Sequence, residues 1–136
     1  MADYRIESNA KKVMENLRRM TPIAEQEAVD MVNDSLNKVE SLVVPITPIK
    51  TGNLRRGYRV VAARKLSTGR VVGILRNNEH YFHYVNDGHR TVNGGYVKGK
   101  FMVEKATNAA NMTYIPRRFK KMAINIAKKG ESFEDV

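Results

Sequence analysis

Residues 47–63 read Thr47-Pro48-Ile49-Lys50-Thr51-Gly52-Asn53-Leu54-Arg55-Arg56-Gly57-Tyr58-Arg59-Val60-Val61-Ala62-Ala63, and the periodicity of the chain changes across them. Before this stretch apolar residues recur at helical spacing; after it they crowd into short β-rich runs. Pro45 and Pro48 stop the upstream helix, because proline removes a donor and clashes with the preceding turn. Gly52 permits a tight turn and Asn53 supports it. Leu54 is placed to plug the core beneath, which leaves Arg55 and Arg56 pointing outward. The segment is therefore a joint from helix to strand.

Working upstream, Ile6, Ala10, Val13, Leu17 and Met20 line one face of a short helix from about Asp3 to Arg19. Thr21-Pro22 then resets the chain. Threonine is a good N-cap and proline fits the first helical position, so a second helix starts there. Glu25 and Glu27 fall in its first turns, where the helix dipole favours acids. Ala28, Val32, Leu36, Val39 and Val43 form its apolar stripe, widened by Ala24, Met31 and Ser35. It runs to about Val44, roughly 35 Å for ~23 residues.

Downstream, Tyr58–Ala63 and Arg70–Leu75 are β-rich, and Leu66-Ser67-Thr68-Gly69 between them is a turn signal. This predicts a β-hairpin, ended by Asn77-Asn78. Tyr81-Phe82-His83-Tyr84-Val85 is a short aromatic segment, strand or helical turn. Residues 86–100 (NDGHRTVNGGYVKGK) hold four glycines and no hydrophobic period, as in a mobile loop or an arm that orders on a partner. Phe101, Met102, Ala106, Ala109 and Ala110 mark a helix. Ile115-Pro116 opens the last one, with Phe119, Met122, Ala123 and Ile126 inside and Arg117, Arg118, Lys120 and Lys121 outside. Residues 131–136 read as a frayed tail. Without repeats or a long linker, residues 1–136 form a single domain. Its class is α+β: a small antiparallel β-sheet packed with a long N-terminal helix and C-terminal helices.

The chain has 136 residues and a formal charge of +10. There is no cysteine, so disulfides, thiol catalysis and cysteine-based metal sites are excluded. No apolar run reaches the ~20 residues of a membrane span, and the N-terminus lacks a signal-peptide core. These features predict a soluble protein made in the cytoplasm, with no membrane partner. The charge is uneven: residues 41–78 carry eight bases and no acid, whereas residues 1–40 carry eight acids and six bases. So basic a centre predicts an anionic partner, either nucleic acid or an acidic protein surface.

Few residues suggest chemistry. Gly94-x-x-x-x-Gly99-Lys100 matches the core of a phosphate-binding loop. Phe101 then stands where a magnesium-binding hydroxyl is required, and no buried strand precedes the loop. His80, His83 and His89 lie close to Glu79 and Asp87, but the interleaved aromatics suit hydrogen-bonded structural histidines better than a metal site. Ser41, Ser67 and Ser132 have no nucleophile context, and the acids of the N-terminal helices read as solvent-facing. No catalytic residue, metal ligand or cofactor is expected. The remaining candidate is the basic patch Arg55, Arg56, Arg59, Arg64 and Arg70, flanked by Tyr58, which faces either DNA or a protein partner.

Two segments resemble a known family. Residues 47–56 are similar to the P-x-x-T-G-x-L-R signature of phage head–tail joining proteins, also called neck, tail-completion or minor tail-component proteins. Residues 81–90 resemble that family's Y-A-x-Y-V-E-x-G element, with Asn86 where glutamate is common. Gly94–Met102 resembles the loop entering the C-terminal helix in the branch found in contractile-tailed phages and phage-like particles of Gram-positive bacteria. The resemblance spans about residues 22–112. It implies a non-enzymatic virion subunit that forms a ring with copies of itself at the neck. Such a ring contacts head-closure (connector) and tail-terminator proteins and encloses a channel for genomic DNA. The glycine-rich segment, with Gly88, His89, Arg90, Gly94, Gly95, Tyr96, Lys98 and Lys100, is then the candidate assembly loop. The alternative reading is a small non-specific DNA-binding protein.

Overall fold

Residues 2–46 form one helix rather than two. In the computed structural model, which describes residues 2–49 and 52–130 with side chains from Met20 onward, α1 runs unbroken from Ala2 to Ile46 with Pro22 and Pro45 inside it. At 1.5 Å per residue its 45 residues span roughly 67 Å. The expected break at Thr21-Pro22 is absent. A proline inside a helix costs about 3 kcal/mol, which tertiary packing can outweigh. Here Met20 lies against Gly130, the last residue of the C-terminal helix, so packing begins on the N-terminal side of the proline. The stripe proposed for Ile6–Leu17 and the tail 131–136 lie outside the described side chains.

After α1 come α2 (Asn53–Arg56), β1 (Tyr58–Lys65), β2 (Val71–Asn77), α3 (Phe82–Asp87), β3 (Gly88–Arg90), β4 (Tyr96–Lys98), α4 (Met102–Thr113) and α5 (Ile115–Gly130). The architecture is α+β, with the β1–β2 hairpin and the C-terminal helices both packed on α1. β1 and β2 pair antiparallel from Tyr58↔Asn77 to Lys65↔Val71, with an irregularity between Val61 and Arg64. In that gap the Ala63 amide donates to Asn33 Oδ1 on α1 at 2.7 Å, so the helix satisfies a donor that the ladder leaves out. Gly73 lets helix and hairpin approach closely: a Cβ there would lie 2.5 Å from Leu36 Cδ1 and 3.2 Å from Val32 Cγ1.

The core gathers where the joint meets α4. Val39 and Val43 of α1, Leu54, Tyr58, and Met102, Ala106 and Ala110 of α4 form one buried cluster. Leu54 plugs it as the sequence predicts. The alanines let α4 lie close against α1, and Tyr81, Phe82 and Val85 cover the cluster's edge. Tyr58 meets Phe82 edge to face at 5.7 Å between ring centres.

Two further expectations change. First, α5 is rotated: Arg118 is 7% exposed and Phe119 is 56% exposed. Polar pairing sets this orientation. Arg118 Nε donates to Asp34 Oδ2 at 2.8 Å, and Asn125 and Lys129 both donate to Glu27. Residues 118, 125 and 129 share one helical face, and that face meets α1. The acids Glu27 and Asp34 therefore do not all look to solvent; Glu27 is 3% exposed. Second, residues 86–100 contain secondary structure of their own. β3 pairs antiparallel with β4 through Gly88↔Lys98, His89↔Val97 and Arg90↔Tyr96, making a second hairpin.

Candidate assembly surfaces

The joint explains most of the first sequence motif. Thr47 is buried; its hydroxyl donates to the Val43 carbonyl at 2.7 Å. With its one proton committed, it accepts from the Tyr58 hydroxyl at 2.8 Å. Burial raises the Tyr58 pKa, an effect only partly offset by that bond. Arg55 turns back on α1: its Nε donates to the Thr47 carbonyl at 2.7 Å and its Nη2 to the Pro45 carbonyl at 2.8 Å. The last carbonyls of a helix lack intrahelical donors and carry the negative end of its dipole, so a guanidinium is a fitting cap. Gly52 adopts φ 76°, the left-handed conformation that the turn needs.

The basic patch divides accordingly. Besides Arg55, Arg56 Nη2 bonds Asn53 Oδ1 at 2.6 Å, and Arg59 Nη1 donates to the carbonyls of Arg56 and Tyr58, both at 2.7 Å. These three arginines brace the joint. Arg64 and Arg70 lie at the far end of the hairpin with exposed side chains. Lys65, also near the tip, pairs with Glu25 of α1 at 2.7 Å.

The second hairpin is tied down at its base. The Lys100 amide donates to the Val85 carbonyl and the Phe101 amide to the Asn86 carbonyl, both at 2.9 Å. Asn86 Oδ1 accepts from the Val103 amide at 3.1 Å, in the first turn of α4, while its Nδ2 donates to Asp87 Oδ1 at 2.8 Å and to both Glu104 oxygens. The departure from the family pattern thus has a local explanation. A glutamate at 86 would oppose Glu104, whereas the amide donates to it and also accepts from Val103. The sequence signalled this residue only by its mismatch, because Glu104 is 18 positions away. Gly88, at φ 90°, and Gly99 face each other so closely that a Cβ on either would strike opposing backbone. Val92, Tyr96 and Val97 are exposed on the hairpin, as are Met112, Phe119 and Ile124 on α4 and α5.

The same backbone bears on the phosphate-loop match. Gly94 sits in the hairpin turn, while Tyr96–Lys98 is extended and paired, so residues 94–100 do not wrap into a nest of amides. His83 stacks on Tyr84 at 4.1 Å, and His80 and His89 meet Tyr81 and Tyr84 edge-on. Among the described residues no group of three or more histidines and acids converges as a metal site. No helix among them is long and apolar enough to cross a membrane.

The chain thus joins one long helix to two hairpins and two C-terminal helices, with large apolar side chains exposed on the second hairpin and on α4 and α5. The family profile described as "Bacteriophage HK97-gp10, putative tail-component" matches residues 11–88, more than half of the chain, and the protein belongs to this HK97-gp10-like family of phage tail components. It is thus a structural component of a phage particle. No curated protein and no solved structure matches it. The reading as a small DNA-binding protein gains no support from the comparisons.

Proposed function

We propose that the protein is a subunit of the neck ring that completes the junction between phage head and tail, docking to head-closure and tail-terminator proteins. The observation that carries this reading is that large apolar side chains stay exposed on two separate parts of the chain: Val92, Tyr96 and Val97 on the second hairpin, and Met112, Phe119 and Ile124 on α4 and α5. Apolar side chains left in water are stabilised when a partner covers them. Two dissimilar surfaces on one chain suit a head-to-tail contact between copies, the kind that closes into a ring. The hairpin of one subunit then rests on the C-terminal helices of the next. In this reading Gly88, Gly94, Gly95 and Tyr96 shape the docking hairpin, and His89, Arg90, Lys98 and Lys100 form its polar rim.

Tyr96→Asp and Phe119→Asp each place a charge at an exposed position on one of these surfaces, Tyr96→Asp also removing the hydroxyl that donates to the Asp87 carbonyl at 3.1 Å. Either variant is expected to raise free heads and free tails at least several-fold, counted by electron microscopy of lysates. Normal numbers of joined particles with both variants would overturn the proposal.

A further inference from the structure

Beside the seam between α1 and α5 lies an open cleft of about 320 Å³, lined by Asp34, Tyr114, Arg117, Arg118 and Lys121. Lys38 adds a fourth cation, its Nζ 5.6 Å from the centre of the Tyr114 ring. Asp34 is the single carboxylate in this group and is committed to Arg118 Nε at 2.8 Å. Arg118 is 7% exposed, and its Nη1 is buried without a hydrogen-bond partner. Arg117 and Lys121 stand at the mouth with exposed side chains, Arg117 through its Nε holding the Thr113 carbonyl at 2.8 Å. Glu27 also acts on Arg118 electrostatically, but the Arg118 guanidinium still has a buried unused donor, and Arg117, Lys121 and Lys38 face Asp34 alone, so the cleft is electropositive.

We propose that this cleft receives an acidic side chain, Asp or Glu, from a segment of a partner protein. The inference rests on the reading of the chain as a docking subunit. A carboxylate oxygen suits the unused Nη1 donor of Arg118, as a charge-assisted acceptor for a buried guanidinium N–H. The cleft's shape argues against duplex DNA, whose phosphates lie on a convex surface and do not reach the buried Arg118. Asp34 in the wall opposes a phosphate dianion more than a carboxylate monoanion, and the Tyr114 ring offers an apolar wall for the methylenes that carry the carboxylate. Arg117 and Lys121 admit the incoming group by rotamer changes at the exposed mouth.

Titration of the full chain with a hexaglutamate peptide, followed by NMR shifts and calorimetry at low salt, tests the proposal. Saturable binding is expected, with the largest shifts around Tyr114 and Arg118. It should weaken by at least about tenfold in the Arg117→Gln/Lys121→Gln double variant, which removes two charge-assisted contacts. An Arg64→Gln/Arg70→Gln double variant removes the same charge at the hairpin tip and should bind as the wild type does. Equal weakening in both variants means general charge attraction and overturns the proposal, as does absence of saturable binding. Displacement of the peptide by inorganic phosphate at concentrations below the peptide's own assigns the cleft to phosphate, and overturns it too. Failure here with Tyr96→Asp and Phe119→Asp still separating heads from tails leaves the neck role standing. Peptide binding with normal joining in those variants has the opposite meaning.

Discussion

Among the described residues, Glu27 is a buried carboxylate placed to couple stability to pH. Its carboxylate is buried on α1 and takes hydrogen bonds from Lys129 and Asn125 of α5. The Lys129 bond holds its pKa below the ordinary 4.5, against burial, which acts in the opposite direction. A carboxyl whose folded pKa is depressed stabilises the fold above its unfolded value, and that contribution fades as pH falls through the folded value. Glu27→Gln is therefore expected to lower the urea midpoint at pH 7. The gap to wild type should narrow as pH drops below 4.5. A gap unchanged from pH 7 to pH 3 would mean that the ion pair does not couple to folding. In sequence Glu27 looks like a dipole-favouring acid near a helix start; with the start moved to Ala2, it is a mid-helix acid whose partner lies 102 residues away.

Elements whose determinants are local were legible. The first hairpin needs only two β-rich runs and a turn around Gly69, and the joint needs prolines, Gly52 and Leu54, all within a few positions of one another. Elements set by distant partners were not. The rotation of α5 depends on Asp34, 84 positions from Arg118, so the apolar stripe put Phe119 and Ala123 inside and Arg118 outside, although Met122 and Ile126 are half-buried as it required. β3 and β4, at three residues each, are too short to show alternation. Their pairing rests on backbone packing at Gly88 and Gly99, and in sequence those glycines read as looseness. The basic patch was legible as charge but not as role: Arg55, Arg56 and Arg59 serve the joint, and only geometry separates them from Arg64 and Arg70.

At the scale of the whole molecule, the question for those two hairpin-tip arginines is what anion they meet. On the proposed neck role, two outcomes are distinguished: the tip faces DNA passing through the junction, or it faces an acidic protein surface. Contacts made to a phosphate backbone without base readout are weak, and fall steeply between roughly 50 and 200 mM salt. In the first case Arg64→Glu with Arg70→Glu should impair DNA retention in filled particles while heads still join tails. Abundant separated heads and tails in that lysate would instead assign the tip to a protein interface.

Arg55 has a further bearing, on the order in which the chain folds. The guanidinium that closes the end of α1 comes from beyond the turn, eight and ten residues after the carbonyls it holds. The final turn of the helix is therefore unfinished until the chain has reversed and Leu54 has entered the core. Loops of about ten residues close in roughly 10–100 ns, long before distant strands and helices meet, so the joint is suited to act as a folding nucleus. Arg55→Met is expected to cost about 1–2 kcal/mol and to take most of it from the folding rate. A stopped-flow chevron in which unfolding accelerates and folding does not would place the nucleus elsewhere.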